Sequence, residues 1–257
     1  NQRSPGLDHQ PMIGRKMIKA ITFDLWNTLI CVKDYTSLRI EHLVELLDKQ
    51  NASPDEKVIR QVYFSIQGLW RPDSAGQYRF ISVKERVEMI LKKLGIEIKQ
   101  GPKLAIVRDF EEVILKDPPS LLDGVKFTLE SLYQKYPLGL VSDSGFTPGR
   151  ILRKILQSLG VLKFFDCTVF SDEVGYNKPN SLMFNQALKL LKVQPKETIH
   201  VGDLLETDIA GAKLAGMLSI WINREGRGSN PESFRPDYGI NRLPELLPML
   251  KKLTFSS

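Results

Sequence analysis

The stretch "IKAITFDLWNTLI", Ile18–Ile30, decides the architecture: an apolar run stops on an aspartate, Asp24, and a threonine, Thr28, follows four positions later. Residues 18–23 are short, apolar and bounded by polar residues, the pattern of a buried strand. No hairpin partner follows. Instead, Ile40, Leu43, Leu46 and Leu47 mark a first helix. "SPDE" at Ser53–Glu56 reads as a capping box with Pro54 at the first helical position, before Val58, Ile59, Val62, Tyr63 and Ile66 at helical spacing. "SVKE" at Ser82–Glu85 reads as another, with Gly95 as the stop signal. Leu104–Leu115 is a fourth helical run, and residues 35–116 contain no convincing strand.

Pro118-Pro119 breaks the chain, and from residue 121 the pattern changes. Strand-like runs "LGLVSD", "CTVFSD", "TIHVGD" and "LSIWIN" alternate with helical runs at Val125–Tyr133, Pro148–Leu159, Leu182–Leu191 and Ile209–Leu214. Such alternation predicts right-handed βαβ units and a parallel sheet covered by helices on both faces. Sites in that architecture lie at the carboxyl ends of the strands. Polar residues stand at those ends: Asp24, Ser142/Asp143, Ser171/Asp172 and Asp203. The helical block is then an insertion after the first strand, placed beside the site. The expected division is a leader at 1–16, a core at 17–31 and 121–257, and a helical cap at 32–120.

Composition excludes several classes. The 257 residues are 42% hydrophobic and 26% charged, ordinary for a globular protein. No stretch approaches the roughly 20 consecutive apolar residues of a membrane span. The polar start, "NQRSPGLDHQPMIGRK", lacks the apolar centre of a signal peptide and reads as a disordered leader. Two cysteines, Cys31 and Cys167, build neither a disulfide framework nor a metal-ligand spacing, which suits a reducing cytoplasm. The formal charge of +6 is spread along the chain, with no basic block and no basic-aromatic run for stacking bases. A small anionic substrate is expected rather than a nucleic acid or a membrane.

Four pieces then stand together in order: "DLWNT" with Asp24 and Thr28, "LGLVSD" with Ser142, "VGYNKPN" with Lys178, and "GDLLETDIAGAKLAGM" with Asp203 and Asp208. Their content and order resemble the haloacid dehalogenase-like hydrolase superfamily, over about 150 residues of scaffold. The resemblance implies an α/β fold, a Rossmann-like parallel-sheet core with an inserted all-helical cap. It also implies roles. Asp24 is the expected nucleophile, forming an aspartyl-phosphate that water hydrolyses; Ser142 binds a phosphoryl oxygen, Lys178 neutralises its charge, and Thr28 is a further expected catalytic residue. Asp203, Asp24 and the backbone carbonyl of Trp26 are expected to hold Mg²⁺, with Asp208 orienting Lys178 or the water on the metal. Elementary chemistry agrees: carboxylate attack on a phosphate dianion pairs two anions, so cations must lower the repulsion.

Trp26 departs from the pattern. Phosphatases of that superfamily usually carry a second aspartate there, as general acid and base, and glycine where Asn27 stands. Indole donates no proton at neutral pH, so a loss of about 10²–10⁴-fold is expected unless another group, Asp143 among the candidates, supplies the proton. The Trp26 ring is expected to pack against the cap and exclude water. Dehalogenating relatives carry an aromatic residue here, so a 2-haloacid dehalogenase-like C–X hydrolase is one alternative; the retained "VGD" weighs against it. A weakly catalytic protein that binds a phosphorylated ligand is the other. In "LWRPDSAGQYRF", Leu69–Phe80, Arg71 and Arg79 are candidate contacts for the substrate's anionic tail.

Overall fold

The computed structural model describes residues 18–255 except 53, 68, 70, 71, 73–75, 225 and 227–234. The expected leader at 1–16, Ser53 and Arg71 lie outside the described residues.

Six strands form one parallel sheet: β1 (Ala20–Phe23), β2 (Leu138–Ser142), β3 (Cys167–Phe170), β4 (Thr198–Gly202), β5 (Leu218–Ile222) and β6 (Tyr238–Ile240). Their spatial order is β3-β2-β1-β4-β5-β6. β1 is central, with Phe23 opposite Leu140 on one side and Val201 on the other. The chain builds outward from β1 to β3, then crosses back to place β4 on β1's other side. The β1–β4 boundary is therefore a topological switch point, where a crevice opens at the carboxyl ends.

The helices are α1 (Thr36–Asp48), α2 (Glu56–Gln67), α3 (Val83–Leu94), α4 (Gln100–Glu112), α5 (Val125–Tyr133), α6 (Gly149–Ser158), α7 (Ser171–Val174), α8 (Ser181–Leu191), α9 (Ala210–Leu214) and α10 (Leu246–Phe255). Strand periodicity of two sorts the sheet's side chains. Ile21 and Phe23 join α5, α6 and α10 in one core. Ala20 joins α8 and α9 in the core of the opposite face. Among the described residues no helix is long and apolar enough to cross a membrane.

Helices α1 to α4 all lie between β1 and β2 and carry a hydrophobic core of their own, including Ile40, Leu43, Tyr63, Val87, Ile90 and Phe110. One residue of that core comes from elsewhere: Phe146, in the loop after β2, packs among them. Its ring stacks on Tyr63 at 5.4 Å and meets Phe110 edge-on at 5.8 Å.

Local signals hold at α3. Ser82 Oγ accepts from Glu85 N, the Glu85 carboxylate accepts from Ser82 N, and Gly95 closes the helix at φ 67°. At α2 the expected register was wrong. The helix begins at Glu56, after Pro54, and Asp55 Oδ1 accepts from Lys57 N at 2.7 Å. A short carboxylate one residue before the helix is placed to capture one of its free amides. β6 was not anticipated either: "YGI" is a three-residue edge strand with no alternation to read.

Candidate active site

Each candidate group reaches the crevice because a strand stops under it. β1 ends at Phe23, and Asp24 N donates to Val201 O of β4 at 2.9 Å, pinning the residue to the neighbouring strand. The chain then folds back: Leu29 N and Ile30 N both donate to Leu25 O, and Asn27 takes φ 55°. Asparagine tolerates that left-handed conformation better than most side chains, which accounts for its standing where glycine is usual.

After β4 the chain enters a π-helical turn, Leu205–Ile209, that brings Asp208 back over the strand end. Such turns recur at functional sites. Gly202 makes room for it, because a Cβ there would lie 2.3 Å from Asp208 Cγ. Asp208 Oδ2 accepts from Leu204 N at 3.0 Å, so the side chain also caps its own turn.

Lys178, after α7, joins the two carboxylates. Its Nζ lies 2.5 Å from Asp24 Oδ1 and 2.6 Å from Asp208 Oδ1, and all three residues are buried. His200, fully buried in β4, lies 3.4 Å from Asp208 Oδ1 through Nε2 and 2.9 Å from Thr22 Oγ1 through Nδ1. A carboxylate can only accept, so the His200 proton belongs on Nε2 and Thr22 donates to Nδ1. Burial lowers the imidazole's pKa, and it stays neutral. Thr22 and His200 were not anticipated as site residues. Their signal was thin, since both face inward on apolar strands and neither shows ligand spacing.

Electrostatics divides the carboxylates. Burial pushes Asp24 up to about 8, with Lys178 pulling it down and Asp208 and Asp203 pushing further up. Burial also raises Asp203 to about 6, helped by Asp208. Asp208 resists its own burial because Lys178 and His200 outweigh it, and it lies well below the carboxylate range. Burial alone would lower Lys178, but Asp208, Asp24 and Asp143 reverse this and hold the ammonium charged.

Carboxylate oxygens of Asp24, Asp203 and Asp208 lie within 4.8 Å of one another. Three hard oxygen donors facing one lysine leave an excess of negative charge, a donor set that suits Mg²⁺. Asp208 is engaged through both oxygens, by Lys178 and His200 at Oδ1 and Leu204 N at Oδ2, whereas the Lys178 pair takes only Oδ1 of Asp24.

Of the other expected residues, Ser142 ends β2, fully buried, with its Oγ donating to Asp143 O at 3.3 Å. Thr28 Oγ1 is buried and has no hydrogen-bond partner among the described residues. Asp143 accepts from Lys178 N at 2.9 Å through Oδ1, and burial raises its carboxyl to about 6. The Trp26 ring packs on the sheet's hydrophobic core, which also takes in Tyr35, Val113 and Ile114, and its Nε1 donates to Asp143 O at 3.2 Å. Arg79 stands apart, half-exposed and paired with Glu85 at 2.8 Å.

Between the strand ends and the helical block lies a cleft of about 390 Å³, lined by Trp26, Asp143, Phe146 and Asn177 from the sheet side and by Arg39 and Arg86 from the helices. Neither arginine was anticipated.

The family described as haloacid dehalogenase-like hydrolase matches residues 18–216. The glyceraldehyde 3-phosphate phosphatase of Pyrococcus furiosus is 36% identical, over 92% of this chain and 95% of its own length. Among solved structures, a HAD phosphatase from Thermococcus onnurineus superposes with a TM-score of 0.65 at 28% identity, over 91% of this chain and 98% of that one. The YfnB protein of Bacillus subtilis, solved bound to magnesium, gives 0.61 at 26% identity, over 91% and 99%.

Proposed function

From its membership of the haloacid dehalogenase-like hydrolases, to which this chain belongs, we propose that the protein is a Mg²⁺-dependent phosphohydrolase acting on a small phosphorylated metabolite through Asp24. The observation that carries this reading is the buried cluster in which Lys178 Nζ bridges Asp24 and Asp208 beside Asp203. Relatives named as phosphatases support it.

The Asp24 carboxylate attacks phosphorus, the ester P–O bond breaks, and the alcohol oxygen leaves. Water then attacks the aspartyl-phosphate and releases inorganic phosphate, restoring Asp24. Lys178 offsets charge on the phosphoryl oxygens. The Ser142 and Thr28 hydroxyls turn to hydrogen-bond them, and the unpartnered Thr28 Oγ1 is a donor without another role. Asp24, Asp203 and the Trp26 carbonyl would hold Mg²⁺, which supplies the charge that lets two anions approach. His200, through Asp208, keeps Lys178 pointed at the nucleophile. The helical block works as a cap over the cleft. Phosphoryl transfer asks for little beyond such positioning and charge. Asp203 places a further negative charge where a haloacid's carboxylate would have to approach, so phosphate ester cleavage is the better reading than C–X cleavage.

The test is p-nitrophenyl phosphate hydrolysis with Mg²⁺ and with EDTA, beside Asp24→Asn. Turnover should require the metal and fall by at least about 10³-fold in the variant, more than removal of one stabilising donor costs. Turnover unaffected by the substitution would sink the assignment.

A further inference from the structure

Arg39 on α1 and Arg86 on α3 are buried, at 6% and 4% exposure, yet no carboxylate of the described residues lies within ion-pair distance of either. Arg39 gives its Nε to Phe110 O at 3.0 Å. The Tyr63 hydroxyl stands beside it, a neutral and loose contact that brings no negative charge to the guanidinium. Arg86 donates to Ile81 O, Ile66 O and Leu69 O at 3.0, 2.8 and 3.5 Å, all neutral acceptors. Both guanidiniums lie over the Phe146 ring, at 4.9 and 5.1 Å from its centroid, and both line the cleft. Lys33, the cleft's other described cation, is taken up by Asp117 at 2.6 Å. The cleft thus has cationic side chains on the helical wall, and on the sheet wall Asp143, Asn177 and Leu204, the chain neighbours of Ser142, Lys178 and Asp203.

An unneutralised buried charge is costly, and guanidinium is the group best shaped to grip carboxylate or phosphate. We propose that Arg39 and Arg86 form a subsite for a second anionic group, so that the substrate is a phosphate monoester carrying a further carboxylate or phosphate on its leaving group. This rests on the phosphatase reading above, which puts the scissile phosphate at Asp24. Phe146 is the floor of the subsite, holding both planes by cation–π contact.

The experiment compares 3-phosphoglycerate with glyceraldehyde 3-phosphate, twins that differ only in carboxylate against aldehyde. Fructose 1,6-bisphosphate against fructose 6-phosphate is the arm for a second phosphate. In the wild type one charged twin should be preferred at least tenfold in kcat/KM. Arg39→Met and Arg86→Met should collapse that ratio by at least tenfold, and Arg39→Lys should retain part of it. Equal losses on both twins, or a lowered melting temperature with the ratio intact, would reduce the arginines to structural roles and overturn the proposal. If the wild type turns over no phosphate ester, the phosphatase reading fails separately. Calorimetric binding of the same twins then decides: a charged-twin preference lost in Arg39→Met upholds the subsite, and equal binding overturns it.

Discussion

Lys178 holds two buried carboxylates on one ammonium, so its replacement has two separable consequences. Lys178→Met should lower kcat by about 10²–10³-fold, as removal of one preorganised charge donor does. It should also destabilise the fold by about 3–5 kcal/mol, because breaking a buried pair strands the remaining charges. Steady-state kinetics and urea unfolding read the two effects independently. Trp26 makes the other prediction at this scale. With indole where an acid is usual, hydrolysis should favour good leaving groups, aryl over alkyl phosphates, by about 10²-fold or more. Trp26→Asp should narrow that gap. A flat leaving-group dependence in the wild type would instead place the proton on Asp143, and Asp143→Asn would then steepen it.

At the scale of elements, the turn after β4 shows how local geometry builds a site. Gly202 is required by close approach, since the Asp208 side chain occupies the space a Cβ would take. Gly202→Ala should therefore displace Asp208, reduce kcat at least tenfold and lower the melting temperature; unchanged kinetics would refute this coupling. The capping box of α3 carries a pH prediction. Arg79 and the Ser82 donors hold the Glu85 carboxyl at about 2, below its ordinary 4.5. A folded-state pKa below the unfolded one adds stability that is complete above the unfolded value and disappears as pH falls through the folded value. Glu85→Gln should be less stable than the wild type at pH 7, with the difference shrinking between about pH 4.5 and 2. A pH-independent difference in urea midpoints would show that the carboxylate charge is not the cause.

For the whole molecule, Phe146 is a side chain that ties the helical block to the sheet, a core-loop residue seated in the core of α1 to α4, while Tyr35, Val113 and Ile114 join the sheet's core from the other direction. Phe146→Ala should cost about 3–5 kcal/mol locally. Hydrogen exchange should quicken in α1 to α4 while the amides of β1 and β4 stay protected. Uniform quickening would show that the two cores unfold as one. Much of this organisation was legible beforehand. Apolar runs ending on polar residues announced β1 to β5, and Asp24, Lys178, Asp203 and Asp208 stood out because chemically apt residues recurred at successive strand ends. β6 and the true start of α2 were hidden, being short and set by edge pairing and a single Asx contact.

By itself, then, the sequence determined the alternation of elements, the run of helices between β1 and β2 and the residue types at each strand end. Periodicity and turn chemistry are local, and a parallel sheet has few ways to connect. Only the tertiary structure decided which distant residues share a charge. Lys178 meets Asp24 across 154 positions, His200 supports Asp208 from a strand that reads as plain core, and Arg39 and Arg86 face the cleft while Arg79 turns away to Glu85. A helical pattern marks which side of a helix is buried; it does not say that an arginine on that side meets no carboxylate among the described residues. That depends on which carboxylates and carbonyls the packing brings within reach, a long-range outcome that no local pattern encodes.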